Sequence, residues 1–380
     1  MEREDILEEW FFESLKTYRD LYVYQLGCPS RVTEWTSGKT LCVAGFSPSQ
    51  NEILELQLPR KLLAGDDQGL CAERDFRVLH GGSTDGPVCC LRHVPGTRCV
   101  VTNDGLSSDL QVWNLGADDG DVIRRTGGVA GGGGPAAAGG SRMAVGVSSR
   151  PQVLHGARSG DVRLTELSSG RTLFRLESDS ADRLGSLQFV SDSVFIAGCW
   201  NGAVYLADTR TPAAPQLTPP PESSGESLRW WTDASVGPPG CRIVRLSSSG
   251  QTVISDLRNP GGAVSRARLA VQSGRCRLDE VRVSWAPALG GRVSVSGFSG
   301  AVQIYDTSVW GAEPREVQPL FQHRGHAVSQ SQLGDGVPVP VPVSITGHTW
   351  HPERPRTLLS AASDGSVHLW DWVDQSAGSE

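Results

Sequence analysis

The feature that most constrains this chain lies near its C-terminus, from Thr357 to Trp372, where two apolar runs flank a tight turn. Leu358 and Leu359 open the first run, Ser363-Asp364-Gly365-Ser366 supplies the turn, and Val367 and Leu369 resume a period of two that ends in Trp370-Asp371. Alternation on both sides of such a turn predicts a β-hairpin. One small sheet of this kind cannot bury both of its faces, so degenerate copies are expected upstream.

Six upstream hairpins fit that expectation. They run from Leu41–Phe46 to Glu52–Leu56, Cys99–Thr102 to Leu110–Asn114, Val153–Ala157 to Val162–Glu166, Val194–Cys199 to Ala203–Asp208, Arg242–Leu246 to Thr252–Asp256, and Val293–Gly297 to Val302–Asp306. The positions equivalent to Trp370 are Leu56, Trp113, Thr165, Ala207, Ser255 and Tyr305, giving steps of 57, 52, 42, 48, 50 and 65 residues. A near-regular period with loop insertions is the pattern of a ring of repeated sheets rather than of a multidomain enzyme.

Length and composition agree. Seven repeats of roughly 40 to 45 residues need about 300, and the chain has 380 with 45 Gly, 23 Pro and only 2 Met. Such a composition suits many short strands and turns better than long helices. The expected fold is all-β, a seven-bladed β-propeller with a short N-terminal α-helix. Residues 1–20 are assigned to the helix, 21–374 to the propeller and 375–380 to a disordered tail. Three biased segments, 127–140 (Gly-rich), 212–225 and 329–343 (Pro-rich), are expected to be flexible insertions without a core of their own.

Residues 2–20 place Ile6, Leu7, Trp10, Phe11, Leu15 and Tyr18 at helical spacing. That apolar face is expected to dock on the propeller edge; the alternative is that Trp10, Phe11 and Leu15 form an exposed anchor for a partner groove. Residues 21–26 then alternate as a lone strand, expected to close the ring by pairing with the last blade.

The net charge of −7 is spread without a basic block, which disfavours a broad nucleic-acid-binding face. Nine Cys, odd in number and without CxxC spacing, read as reduced thiols in an intracellular protein. No apolar run approaches 18 residues, so neither a membrane span nor secretion is expected.

Few motifs carry residue types suited to chemistry. His323, His326, His348 and His351 suggest a metal, but no Cys lies near, and a strand sends 348 and 351 to opposite faces. Gly131–Gly134 lacks the Gly-Lys-Ser/Thr of a phosphate loop, and Ala117–Asp121 lacks the spacing and closing Glu of a Ca²⁺ loop. No Gly-x-Ser-x-Gly occurs, and no Cys has an activating neighbour in sequence. No catalytic residue, metal or cofactor is therefore assigned. The competing class is a propeller enzyme, which predicts charged or metal-ligating groups converging on the central channel.

Several runs resemble the WD-repeat β-propeller family, in particular Asn51–Leu54, Glu73–Phe76 with His80–Gly82, Leu154–Arg158, Ser284–Pro287, Phe321–His326 and His348–Ser360, which together span nearly the whole chain. The resemblance implies a structural tetrad in the last blade, a hydrogen-bonded chain through His326, Ser360, Asp364 and Trp370. It also implies a non-catalytic protein-interaction scaffold, cytoplasmic with access to the nucleus, and at spindle poles and the cleavage furrow in mitosis. Microtubule organisation, cell survival and association with the RNA-processing Integrator complex follow from the same resemblance. The implied partners are Integrator subunits and microtubule- or spindle-associated proteins, around a monomeric propeller that contacts neither membrane nor nucleic acid. Direct microtubule binding is the further alternative.

Overall fold

The computed structural model of the chain describes residues 10, 12–46, 51–59, 75–117, 122–131, 140–148, 150–211, 214–221, 228–236, 240–271, 278–326 and 343–373. Its strands form the seven sheets of the expected all-β propeller, antiparallel except for one added strand. The inner-to-outer strands of blade 1 are Ser30–Trp35, Thr40–Phe46, Asn51–Gln57 and Arg77–Ser83; those of blade 2 are Cys90–His93, Cys99–Asn103, Leu110–Asn114 and Arg124–Val129. Blade 3 uses Arg142–Ala144, Gln152–Gly156, Arg163–Glu166 and Thr172–Arg175, and blade 4 Leu184–Phe189, Val194–Cys199, Val204–Asp208 and Gln216–Thr218. Blade 5 is built from Trp230–Ser235, Arg242–Ser247, Gln251–Asp256 and Asn259–Leu269, with Arg315–Val317 added in parallel as a fifth strand. Blade 6 has Arg282–Trp285, Arg292–Ser296, Val302–Asp306 and Phe321–His323. Blade 7 has Ile345–Trp350, Thr357–Ala362 and Ser366–Trp372, and takes its outer strand, Tyr18–Gln25, from the N-terminal end of the described chain. Each innermost strand touches the next around the ring, including Ile345–Trp350 against Ser30–Trp35.

All seven positions equivalent to Trp370 sit on a third strand, each opposite the corresponding residue of the second. The pairs are Leu41 with Leu56, Val100 with Trp113, Val153 with Thr165, Phe195 with Ala207, Ile243 with Ser255, Val293 with Tyr305 and Leu358 with Trp370. The last turn needs Gly365, whose φ is 86°, a conformation that costs other residues a steric penalty. A Cβ there would also lie 3.0 Å from the Leu26 carbonyl oxygen, because the turn sits against the end of the closing strand.

The core lies between blades. Tyr18, Trp350, Trp370 and Trp372 of blade 7 pack with Val302 and Ile304 of blade 6. Leu358 and Leu359 are fully buried, each worth roughly 1.5–3 kcal/mol.

Two boundaries differ from the sequence expectation. Among the described residues helix covers 10 and 12–17, and the closing strand begins at Tyr18 rather than at 21. Tyr18 continues the helical spacing of Trp10 and Leu15, but its ring is held in the interface of blades 6 and 7, which forces the chain into extended pairing with Trp372. Gly127, Gly128 and Val129 are also not loop, since they end the outer strand of blade 2. An outer strand pairs on one side and faces solvent, so it needs no alternating apolar residues. Gln216–Thr218 is likewise the outer strand of blade 4. Residues 132–139, 212–213, 222–225, 329–342 and 374–380 of the remaining expected insertions and tail lie outside the described residues, as do Ile6, Leu7 and Asp118–Asp121. Among the described residues no helix is long and apolar enough to cross a membrane.

Candidate functional site: the blade 7 network and the central channel

In blade 7, Trp370 Nε1–H donates to Ser360 Oγ at 3.1 Å, and Ser360 Oγ lies 2.8 Å from His326 Nε2. His326 Nδ1 lies 2.6 Å from Ser366 Oγ, and the Ser366 hydroxyl donates to Asp364 Oδ1 at 2.6 Å. Each hydroxyl has one proton, so the chain of donors is determined. Ser366 donates to the carboxylate and therefore accepts from His326 Nδ1–H, which leaves His326 Nε2 to accept from Ser360. Burial, reinforced by His368 and His323, holds His326 well below the ordinary imidazole range, in keeping with this neutral form. The structure thus brings His326, Ser360, Asp364 and Trp370 together. Ser366, which the sequence pattern did not single out, connects the imidazole to the carboxylate.

The same diagonal, second strand to third, recurs in altered chemistry. Trp113 Nε1–H donates to Thr102 Oγ1 at 2.9 Å in blade 2, His155 Nε2 meets Thr165 Oγ1 at 3.0 Å in blade 3, and Arg245 Nη2 donates to Ser255 Oγ at 3.4 Å in blade 5. In blades 1, 4 and 6 the equivalent residues are apolar or aromatic: Val43 and Leu56, Ala197 and Ala207, Val295 and Tyr305. Blades that lost the indole at this position therefore keep a buried polar contact or replace it with packing.

Beside the tetrad, Tyr18 Oη lies 2.7 Å from His323 Nδ1, and His323 Nε2 lies 3.0 Å from His368 Nδ1. Nitrogens of His323, His326 and His368 fall within 4.8 Å of one another. However, the His326 and His368 rings are stacked at 3.7 Å and 13°. Stacked imidazoles aim their in-plane lone pairs in parallel, whereas metal ligands must converge on one point. The arrangement serves as a hydrogen-bonded aromatic stack between blades 6 and 7. His348, the other candidate ligand, spends both nitrogens on Ser294 and Ser296 of blade 6, at 2.8 and 2.7 Å, and Trp350 Nε1–H donates to the same Ser294. His351 accepts from the backbone N–H groups of Glu353 and Arg354.

The helix divides its apolar residues. Trp10 lines a cavity of about 390 Å³ against Leu320, Phe321 and Trp372, while Leu15 and Phe12 are exposed. Phe11 lies outside the described residues.

One buried ionic site went unread in the sequence. Glu55 of blade 1 is fully buried and receives two bonds of 2.7 Å from Arg98 of the next blade, with His80 Nδ1 at 2.6 Å. Burial pushes its pKa up, and the bonds from Arg98 and His80 outweigh that and hold it below the usual range. The available signal was phase: Glu55 shares a strand face with Ile53.

The innermost strands enclose a cavity of about 460 Å³ along the ring axis, and charged groups converge on it. Arg92 donates to Glu34 at 2.9 Å, and Asp233 accepts from the Trp285 backbone N–H at 2.7 Å, tying blade 5 to blade 6. Burial raises Asp233 to about 7. The described cysteines are free thiols; burial pushes Cys42 well up and Cys199 to about 12, which removes nucleophilic thiolate from both.

A seven-bladed ring whose last blade is locked by an indole–serine–imidazole–carboxylate chain defines a WD-repeat propeller. No family model matches the chain, but whole-length relatives do. It is similar to the Integrator complex assembly factor WDR73 of Danio rerio, at 46% identity over 98% of both chains. The human protein of the same name is 40% identical over 97% of this chain and 98% of its own, and the Mus musculus one 38% over 98% and 100%. The chain belongs to the WDR73 family of WD-repeat proteins.

Proposed function

We propose that this chain is a non-catalytic scaffold that supports assembly of the Integrator complex. The observation that carries the reading is its identity of 46% with a relative named as an Integrator complex assembly factor, sustained over 98% of both chains. A rigid ring holds its loops in fixed positions and presents several surfaces at once, which suits a protein that holds partners together. The propeller, closed by the strand that begins at Tyr18, acts as one interaction unit with the N-terminal helix appended, and His326, Ser360, Asp364 and Trp370 act on function through the integrity of the last blade. The non-catalytic reading rests on that relative; charged groups do converge on the channel, as an enzyme would require, with Glu34 bonded to Arg92 and Asp233 to a backbone amide. The protein works in the cytoplasm and nucleus with Integrator subunits as partners; contributions at spindle poles, to microtubule organisation and to cell survival run through partner proteins.

Affinity purification of the tagged chain with mass spectrometry tests this. Integrator subunits should be enriched over an unrelated propeller, and their absence would overturn the reading. Pelleting of the purified chain with microtubules at physiological salt would show that contact with the polymer is direct, against the indirect role proposed.

A further inference from the structure

Strand register sorts the channel side chains into two layers. Glu34, Arg92, Gln188, Asp233, Ser284 and Thr349 oppose Cys42, Val101, Ile196, Val244, Ser294 and Leu359, each the second-strand residue that follows Leu41 or its counterpart in another blade. Arg142 and Arg282 oppose Gly156 and Ser296, three positions after the counterparts Val153 and Val293, closer to the turns that join second and third strands. Side chains one and three positions along a strand share a face, so both layers point into the channel. The acidic groups occupy only the deeper layer, and the layer nearer the turns carries arginine alone among its charged residues.

The mouth on that side adds more arginine. Arg31 lies at the irregularity just beyond the same level in blade 1. In blades 4 and 5, Arg183 and Arg229 directly precede the innermost strands, and their guanidinium groups sit 4.0 and 4.4 Å from the ring centre of Trp200. Five blades thus contribute arginine to one face of a chain whose net charge is −7. Among the described residues, no carboxylate lies within ion-pair distance of Arg142, Arg183, Arg229 or Arg282. Burial acts first on two of them, and the neighbouring guanidinium groups add to it. Burial and then Arg142 push Arg282 down to about 10, and burial followed by Arg229 and Arg142 lowers Arg183, even though Asp279 and Glu280 lie near enough to oppose it.

We infer that this mouth of the central channel, formed by Arg31, Arg142, Arg183, Arg229 and Arg282, binds a partner segment rich in Asp and Glu. Guanidinium groups match carboxylates in a two-pronged geometry that spans several blades, which a single small anion does not. An acidic polypeptide also suits the site better than RNA. Base stacking would have to displace two guanidinium groups from Trp200. The inference deepens the scaffold reading by giving one partner contact its chemistry.

The test is fluorescence anisotropy of the purified full chain with a labelled octapeptide of alternating Asp and Glu. Binding is expected to weaken at least tenfold in the Arg142→Glu/Arg282→Glu variant and on raising salt from about 0.05 to 0.3 M, where screening shortens the reach of charge. It should be unchanged in Arg175→Glu, on the outer strand of blade 3. If the channel double variant melts lower than the parent, Arg183→Gln/Arg229→Gln at the mouth replaces it, with a loss of at least threefold expected. No binding by the parent chain, equal loss in Arg175→Glu, tighter binding of an RNA octanucleotide, or equal displacement by pyrophosphate at the same concentration would each overturn the inference. Co-purification with Integrator subunits is read separately, so the scaffold proposal can survive failure here.

Discussion

Tyr18 and His323, separated by 305 positions in sequence, share a hydrogen bond of 2.7 Å in the buried interface of blades 6 and 7. Tyr18 belongs to the strand that completes blade 7, and His323 to the outer strand of blade 6. The bond therefore joins the N-terminal closing strand to a neighbouring blade as well as to its own. Around it, Tyr18 meets Phe321 and Trp370 edge-on at 5.3 and 6.4 Å, an arrangement favoured by aromatic quadrupoles.

Tyr18→Phe keeps the ring and removes the hydroxyl, leaving His323 Nδ1 buried without its partner. The expected loss is about 1–3 kcal/mol, read as a lower denaturant midpoint with an unchanged slope. An unchanged midpoint would mean that the bond does not contribute to closure.

Ser360 accepts from Trp370 and serves His326, so Ser360→Ala orphans two buried groups at once. It should cost more than Asp364→Ala, whose carboxylate is partly exposed at the turn. In a double-mutant cycle, Ser360→Ala and Trp370→Phe should couple by about 0.5–3 kcal/mol. Simple additivity would show that the chain is not formed in solution.

Removing Arg98 leaves the Glu55 carboxylate buried with only His80 beside it. Arg98→Ala is expected to destabilise by about 1–3 kcal/mol, since the exposed side of Arg98 lets water replace part of the bond, and Arg98→Ala with Glu55→Gln to recover part of that loss. Thermal melts of the parent and the two variants decide the matter, since recovery requires the penalty to come from an uncompensated charge.

Acid should weaken the fold. Burial lowers His348 and His368 to about 3 and His155 to about 4, and holds His323 and His326 well below the ordinary range. The unfolded chain binds those protons near pH 6.5. The stability present above that pH is therefore lost as pH falls toward the folded-state values, by up to about 1.4 kcal/mol per pH unit for each imidazole. Asp233 runs the other way: raised to about 7, it favours folding at low pH, and that contribution is lost as pH rises through about 7. The imidazoles outnumber it, so the melting temperature should be lower at pH 5 than at pH 7.5. A flat profile would contradict their buried, neutral state.

What could be read from the sequence follows solvent exposure. The inner hairpins are buried on both faces and carry dense apolar alternation, so Trp370 and its six counterparts fall where that alternation places them. Outer strands such as Arg124–Val129 face solvent along most of their length, and nothing in Gly127-Gly128 distinguishes strand from loop. Tyr18 fits helical spacing equally well, and its packing and hydrogen bond in the interface of blades 6 and 7 fix it in a strand. Ser366 was hidden as an ordinary turn residue, although it joins His326 to Asp364. The channel arginines are scattered between positions 31 and 282 and form no basic run; register alone brings them to one mouth.

The central claim, that this ring serves Integrator assembly, is tested most directly by depleting the chain from cells and following Integrator subunits by size-exclusion chromatography of the extract. Subunits should then move from the assembled fraction to smaller species. Re-expression of the parent chain should restore the profile, whereas a Ser360→Ala variant that melts early should restore it poorly. An elution profile unchanged by depletion would contradict the account.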